Sequence, residues 1–215
     1  MELQKIIFLS SVKVNGERTE VPFKENNKPN PEDSYGITKL EAENLLVKYS
    51  AGSNLKYTII RPPLIYGKNV PGNFNKLISL VQKGYFLPLK SVKNKRSLIG
   101  VNNLCDFIET SIRLPEADNE IFLVSDNCDI STPEMIEKIE FSLKKKSRLI
   151  PFPVIILKII LLLAGRRNYS RRIFDSLQVD ISKAKSILNW NPPHAVEYDI
   201  KKAIDLSSET NPSPR

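Results

Sequence analysis

The sequence predicts an α/β fold built on a parallel sheet, and three observations support this prediction. An apolar run at 6–9 ends in Ser10 and Ser11, which is the pattern of a buried parallel strand. Helical signals follow from about residue 34 to residue 50, and a second strand is predicted at 56–60. Open α/β sheets bind ligands at the carboxyl ends of their strands, so the two serines lie where a site is expected.

The other elements have local signals of their own. Asp33 or Ser34 can cap the first helix, and Gly52 can end it. Residues 12–33 are polar and rich in Asn, Pro and Glu, so we expect a loop across the strand ends. Further predicted elements are a helix at 74–83, a helix at 101–114 that opens at Asn102 or Asn103, a strand at 121–125, a helix capped by Ser131, and a late helix at 180–190.

Tyr35 and Lys39 are the candidate reactive pair, because residues four apart on a helix point the same way. A phenol titrates at about pH 10, so at neutral pH it transfers protons poorly unless a cation stabilises the phenolate. Lys39 is placed to be that cation. The alternative is a partly exposed pair that takes no part in chemistry. The spacing of Tyr35 and Lys39 alone does not decide between a reactive and an unreactive pair.

Three features together resemble the extended short-chain dehydrogenase/reductase family of nucleotide-sugar epimerases, dehydratases and reductases. They are the strand that ends in two serines, the 24-residue spacing from Ser11 to Tyr35, and the motif Arg61-Pro-Pro-Leu-Ile-Tyr-Gly67. The stretch at 87–106 is similar to the branch that acts on UDP-N-acetylhexosamines. The resemblance implies a partial Rossmann-like parallel sheet with helices and a small C-terminal substrate lobe. We therefore predict one truncated epimerase/dehydratase domain at 1–206 and a flexible tail at 207–215.

The resemblance also implies roles near the reacting centre. Tyr35 would be the general acid/base, Lys39 would lower its pKa and bind the nicotinamide ribose, and Ser11 would hydrogen-bond the reacting oxygen. Ser10 and Pro62 would lie beside an NAD or NADP cofactor. No metal is implied.

Two further residues are implied in binding a UDP-sugar substrate. Arg96 matches an arginine that the family uses on the diphosphate, a role that suits a planar guanidinium. A solvated basic loop is the alternative, and it suits Lys93 and Lys95 better than Arg96. Asn73 matches an asparagine that contacts the nucleotide, and an ordinary turn asparagine is its alternative.

The family's glycine-rich turn, which holds the cofactor pyrophosphate at a helix N-terminus, is not found in this sequence. The eight glycines lie at 16, 36, 52, 67, 72, 84, 100 and 165, and no two of them form G-x-G or G-x-x-G. Two interpretations stay open: a piece of an active enzyme, or a chain that has lost its cofactor half. A sheet without its first strands would expose an edge, so we expect a homodimer or a missing N-terminal half to cover it.

Composition limits the compartment and the partners. The formal net charge of +8 fits an anionic small molecule or an acidic surface, and no nucleic-acid-binding motif is present. Cys105 and Cys128 do not form a metal or disulfide pattern, so we expect buried free thiols. The sequence shows no signal peptide, which makes the cytoplasm the expected location.

Residues 151–164 are the one strongly apolar segment. They contain Lys158 and are too short for a spanning helix, which needs about 20 apolar residues. A core helix is the first expectation. Contact with anionic membrane lipid is the second, because Arg166, Arg167, Arg171 and Arg172 follow the segment.

Together these features favour a UDP-sugar 4-epimerase or 4-keto reductase of polysaccharide biosynthesis that uses a nicotinamide cofactor. A chain without a cofactor half would be inactive alone. Galactose-type epimerases of the family have an aromatic residue and an asparagine where this sequence has Pro62-Pro63-Leu64. This difference weakens a galactose-epimerase assignment and leaves a reductase or a related epimerase as alternatives. The rival is a non-catalytic module that binds UDP-sugars or supports assembly.

Overall fold

The computed structural model describes residues 3–68, 70 and 73–209, without the side chains of 73, 167, 168 and 206–209. Two short 3-10 turns, at Val12–Val14 and Pro115–Ala117, accompany the helices and strands. The elements run in the order β1 (Lys5–Leu9), α1 (Ser34–Ala51), β2 (Lys56–Arg61), β3 (Leu64–Tyr66), α2 (Asn73–Gln82), β4 (Leu98–Gly100), α3 (Val101–Arg113), β5 (Glu120–Leu123), α4 (Thr132–Ser142), α5 (Val154–Leu163), α6 (Arg167–Phe174), α7 (Ser182–Leu188) and α8 (Val196–Glu209).

The main sheet is parallel and has the order β1-β2-β5. Ile7 is in register with Thr58, and Thr58 is in register with Glu120 on the other side. Among the described residues, β1 pairs only with β2, so its other edge is unpaired. A second parallel pair, β3-β4, lies in the lobe. The predicted α/β fold with a parallel sheet is confirmed.

The bounds of α1 follow from its terminal residues. Asp33 adopts an extended conformation and its Oδ1 accepts a 2.7 Å hydrogen bond from the backbone nitrogen of Gly36. This side chain satisfies a donor that the first turn would leave unpaired. Gly52 ends the helix, as the sequence predicts. The capping box of Ser131 and Glu134 on α4 is also present as predicted.

Two hydrophobic cores divide the molecule. The first lies around the sheet and includes Ile60, Phe107, Phe122 and Trp190. The second lies in the lobe between α2, α4 and α8, and it includes Tyr66, Phe74, Ile136 and Ile200. The carboxyl ends of the sheet strands open toward the boundary between these cores, which places a ligand site there.

Several local predictions need correction. Helix α3 begins at Val101, with Gly100 as its N-cap, because the side chains of Asn102 and Asn103 bond to other elements rather than to the helix start. Both cysteines are free, but they are exposed rather than buried. The late helix α7 is shorter than predicted. It ends at Leu188 because Asn189 adopts a left-handed conformation with φ of 49°.

Helix α5 is the largest correction. The sequence favours a core helix, yet none of its residues is buried. The reason lies in its surroundings, because α5 packs mainly against the short helix α6, which covers only one of its sides. Among the described residues, no helix combines the length and the apolar character that crossing a membrane requires.

Three parts of the lobe have no counterpart among the sequence predictions. These are the β3-β4 pair, with three residues in each strand, helix α6 and helix α8. Helix α8 continues to Glu209, beyond the predicted start of the tail at 207. Residues 210–215 of that tail lie outside the described residues.

Candidate active-site cleft

A cleft of about 620 Å³ lies at the carboxyl ends of β1 and β2, between the sheet and the lobe. Five of the predicted site residues line it. They are Ser10, Ser11, Tyr35 and Pro62 on the sheet side, and Arg96 lines it from the lobe side. Much of the remaining lining is apolar, including Leu77, Leu80, Leu87, Leu89, Ile130 and Met135. The structure therefore brings together residues that are up to 86 positions apart in the sequence.

Tyr35 lines the sheet wall of the cleft, and Lys39 lies beside it on α1. The Tyr35 side chain is half exposed, so a ligand can reach its hydroxyl. The Lys39 ammonium lies 5.8 Å from the centre of the Tyr35 ring and donates a 2.9 Å hydrogen bond to the carbonyl of Leu9. It also lies 4.9 Å from the centre of the Phe8 ring. Lys39 thus ties the first turns of α1 to the end of β1 and brings a positive charge beside the phenol.

The two serines after β1 differ in what their hydroxyls do. Ser11 lines the cleft, and its Oγ accepts a 3.2 Å hydrogen bond from the backbone nitrogen of Lys13. Its hydroxyl hydrogen is free in this arrangement to turn toward a ligand oxygen. Ser10 is almost fully buried and its Oγ donates a 2.5 Å hydrogen bond to Oε1 of Glu43. Its hydroxyl is therefore engaged within the protein.

Beneath the serines lies a buried ion pair that the sequence interpretation missed. Glu43 on α1 and Arg61 at the end of β2 are each no more than 3% exposed. Both Nε and Nη2 of Arg61 donate to the Glu43 carboxylate, at 3.0 Å and 2.5 Å. Nη1 of Arg61 donates to Oδ1 of Asn15 at 3.2 Å. This bidentate pair, with Ser10 and Asn15, locks α1 against β2 and the loop after β1.

The start of α1 is fixed by a second charged contact. Lys13 donates to Oδ2 of Asp33 and also to Glu17, at 2.8 Å. Burial alone would raise the pKa of Asp33, but hydrogen bonds from Lys13 and from the backbone of Gly36 hold it below its ordinary value. A Cβ at Gly36 would lie 2.9 Å from the carbonyl oxygen of Lys13. Position 36, directly after Tyr35, therefore requires glycine, because a larger residue would push the backbone of Lys13 away from the start of α1.

The lobe supplies the positive wall of the cleft. Nη1 of Arg96 donates a 2.9 Å hydrogen bond to the carbonyl of Asp175, and its backbone pairs with Ile130 and Leu177. Burial lowers the pKa of the Arg96 guanidinium, a trend that the Asp175 carboxylate opposes and the charge of Arg172 reinforces. A half-buried guanidinium with donors still facing the cleft is suited to an anionic ligand group.

Arg171 and Arg172 also line the cleft, which the sequence did not indicate. Nη1 of Arg171 donates to Glu32 at 2.7 Å and lies 3.6 Å from Glu17. Arg172 is exposed and forms no ion pair within the described part of the chain. Its charge is thus available to a ligand, together with that of Arg96. Neither arginine stands in a recognisable motif, so only their placement on α6 reveals them.

The motif at 61–67 is largely structural. Tyr66 is fully buried and its hydroxyl donates to Oδ2 of Asp126 at 2.5 Å. Burial and then the charge of Asp126 raise the pKa of Tyr66, so it stays a hydrogen-bond donor. Gly67 has a φ of +135°, and a Cβ there would lie 2.7 Å from Cγ1 of Val101. Pro62, which the resemblance places beside the cofactor, lines the cleft together with Pro63, Leu64 and Ile65.

Asn73 is predicted to contact the nucleotide, but its side chain lies outside the described part of the structure. Its backbone is described and begins α2. Ser10, Ser11, Tyr35, Lys39 and Pro62 lie at the carboxyl edge of the sheet, and Arg96 faces this edge from the lobe. A parallel sheet with a tyrosine and lysine four apart on the following helix, and a serine at the strand end, defines a protein of the short-chain dehydrogenase/reductase type. The sequence model of the NAD dependent epimerase/dehydratase family matches residues 1–125, and the chain belongs to this family.

Relatives with assigned activities support the same group. The chain is 42% identical over 212 residues to a UDP-glucose 4-epimerase of Vibrio cholerae, covering 97% of this chain and 65% of that protein. It is 31% identical over 156 residues to N-acetyl-alpha-D-glucosaminyl-diphospho-ditrans,octacis-undecaprenol 4-epimerase of Escherichia coli O157:H7, covering 71% of this chain and 47% of that protein. The chain therefore spans less than two thirds of the length of either relative.

Among solved structures, a UDP-glucuronic acid 4-epimerase from Bacillus cereus in complex with NAD is similar over the whole chain. The TM-score is 0.79 at 18% sequence identity, and the match covers 100% of this chain and 63% of that one. At this identity the likeness shows the fold. It confirms the Rossmann-like architecture that the sequence predicts.

Proposed function

We propose that this chain carries the proton-transfer and sugar-binding part of a nucleotide-sugar 4-epimerase. The observation that carries the proposal is the single cleft that joins Ser11 and Tyr35 at the strand ends to Arg96 and Arg172 on the lobe. A sugar between these walls would present a hydroxyl to the first pair and a diphosphate to the second. The 42% relative, named as a UDP-glucose 4-epimerase, supports UDP-sugars as the substrate class.

The residues of the cleft can divide the work of oxidising and reducing a sugar carbon. Tyr35 takes the proton of the sugar hydroxyl and returns it, while the charge of Lys39 favours the phenolate during that transfer. Ser11 donates a hydrogen bond to the same sugar oxygen. A nicotinamide cofactor, when bound, supplies the hydride acceptor and donor that these residues lack. Arg96 and Arg172 hold the diphosphate and set the distance of the sugar from Tyr35.

The donors present in this chain fit the nicotinamide end of such a cofactor. Lys39, Tyr35 and Pro62 lie at the strand ends, where the nicotinamide ribose and ring would be held. The pyrophosphate end requires a helix N-terminus with a glycine-rich turn, and the eight glycines of this sequence form none. A 4-keto reductase would use the same residues for one direction of the transfer.

The first test concerns the 215-residue chain itself. We expect hardly any NADH binding in a fluorescence titration, because the pyrophosphate site dominates cofactor affinity in such folds. Affinity at about the micromolar level, typical of a complete site, would contradict the assignment and point to an unrecognised half-site. UDP should still bind, through the arginines of the lobe wall.

The second test concerns Tyr35 in an enzyme completed with a glycine-rich cofactor half. Tyr35→Phe should lower turnover by about 10²-fold or more and leave the affinity for UDP-sugar within about a few-fold, because only proton transfer is removed. Steady-state kinetics and calorimetry measure the two quantities. Unchanged turnover would remove Tyr35 from the proposed mechanism.

A binding module without catalysis is the second candidate, and the lack of a glycine-rich turn is the observation that favours it. Such a module would bind UDP-sugars through Arg96 and Arg172 and would gain nothing from a cofactor half. Activity of the completed enzyme therefore separates the two candidates. A homodimer, NADP in place of NAD, and location in the cytoplasm stay predictions.

A further inference from the structure

Helix α5 exposes apolar side chains over most of its circumference. Six of them form two adjacent stripes with i, i+4, i+7 spacing, which together make one broad face. One stripe consists of Ile155, Ile159 and Leu162, and the other of Ile156, Ile160 and Leu163. The exposed fractions of these six side chains range from 45% to 83%. We call these six residues the α5 face. A contiguous apolar surface of this kind on a soluble protein usually marks an interaction site.

The opposite side of α5 carries its one charge. Val154, Leu157 and Leu161 are half-buried toward the protein, and Lys158 is on the same side. The Lys158 ammonium lies 3.3 Å from Oδ1 of Asp175 and 5.8 Å from the centre of the Phe174 ring. The α5 face is therefore free of charge.

The segment around α5 has charges of one sign only. Between Glu140 and Asp175 the sequence contains no acidic residue. The same interval contains nine basic residues: Lys144, Lys145, Lys146, Arg148, Lys158, Arg166, Arg167, Arg171 and Arg172. Arg166, next to the C-terminal end of α5, is exposed and forms no ion pair in the described part of the chain. An apolar face with an unpaired cation at its end, in a segment without acidic residues, fits a surface that is apolar inside and anionic outside.

We propose that α5 docks on the surface of an anionic lipid bilayer, with its apolar face among the acyl chains and Arg166 among the headgroups. A helix of ten residues is about 15 Å long, half the thickness of a bilayer core, so it lies in the interface and does not span it. A second copy of the chain is a poorer occupant, because a two-fold contact would bring two positively charged segments together.

The proposal also predicts where the cleft lies relative to the membrane. Helix α6 follows α5 after three residues and carries Tyr169, Arg171 and Arg172, which line the cleft wall. Docking through α5 therefore positions this wall close to the membrane surface. The inference does not depend on the proposed catalysis, since it concerns a surface outside the cleft.

Cosedimentation with vesicles tests the docking. The whole chain should bind vesicles of phosphatidylcholine mixed with phosphatidylglycerol, and should bind vesicles of phosphatidylcholine alone far more weakly. The double variant Ile155→Gln/Leu163→Gln should bind the anionic vesicles at least about tenfold more weakly, because two exposed apolar side chains no longer enter the membrane. Arg166→Gln should weaken binding by about fivefold, and added salt should reduce that difference.

Val21→Gln/Leu45→Gln is the matched control, because these side chains are 71% and 68% exposed on other parts of the surface. Circular dichroism verifies that every variant is folded. The proposal would be overturned if the control variant lost as much vesicle binding as the α5 variant. It would also be overturned if the whole chain bound neutral vesicles as well as anionic ones, or bound neither kind. If sedimentation instead showed that the α5 variant dissociates a dimer without any vesicle binding, a second copy would be the occupant and the proposal would be wrong.

Discussion

The two walls of the cleft are built from charged residues in opposite ways. On the sheet side, Glu43 and Arg61 are buried, and their charges neutralise each other in an ion pair. On the lobe side, Arg96 and Arg172 keep charge directed at the cleft, with a backbone carbonyl as the partner of Arg96. Charge that is neutralised inside the protein fixes geometry, whereas charge left at the surface of a cleft is available to bind a ligand. The same residue type thus fixes the structure at one wall and, in our proposal, recognises the ligand at the other.

The strongest test of this contrast is Glu43→Gln. The substitution leaves the guanidinium of Arg61 buried without an opposite charge, which should lower the free energy of unfolding by about 3–5 kcal/mol. Urea unfolding followed by circular dichroism measures it. Glu41→Gln on the exposed side of the same helix is the control, and it should change stability by less than about 0.5 kcal/mol. Equal effects of the two variants would show that the buried pair does not hold the wall.

Arg96→Ala should act on binding instead. Loss of a charge-assisted contact to phosphate should weaken UDP affinity by about 2 kcal/mol. Arg96→Lys keeps the charge but loses the planar fork, so we expect a smaller loss. Calorimetry with UDP measures both variants, and urea unfolding verifies that they are folded. Unchanged affinity in Arg96→Ala would assign this arginine to the solvated loop that the sequence left as the alternative.

The smallest expected effect belongs to Asp33→Asn. Asparagine caps a helix as well as aspartate does, so the variant removes mainly the ion pair with Lys13. We expect a loss of less than about 1 kcal/mol at neutral pH. Because the pKa of Asp33 is lowered in the folded protein, its contribution is present above the ordinary value of 3.8 and disappears as the pH falls through the folded value. Unfolding curves of both proteins that differ equally at neutral and strongly acidic pH would contradict this origin.

Local signals made the elements of the sheet side predictable. Asp33, Gly52 and the serines after β1 are turn, cap and strand-end residues whose effect acts over a few positions. The strand end indicated Ser11 and the helix spacing indicated Tyr35, the family resemblance added Arg96, and the structure brings the three to one cleft. Their chemical roles stay predictions, because geometry alone does not measure proton transfer.

The features that the sequence did not reveal depend on distant contacts. Glu43 is an ordinary helix glutamate until Arg61, 18 positions later, lies beneath it. Arg172 belongs to a basic cluster, and only the placement of α6 shows that Arg172 lines the cleft. Helix α5 was expected in the core because apolar composition predicts burial, but composition does not say whether a neighbouring element is there to cover the helix.

Asp175 connects the two surfaces on which our proposals depend, and it does so through different atoms. Its carboxylate accepts from Lys158 of α5, while its main-chain carbonyl accepts from Arg96 in the cleft. Every amino acid carries that carbonyl, so a substitution can cut the first link and leave the second in place. A substitution at this position would therefore free α5 from its ion pair and keep the hydrogen bond that holds Arg96 at the cleft, although Arg96 would lose the nearby carboxylate charge.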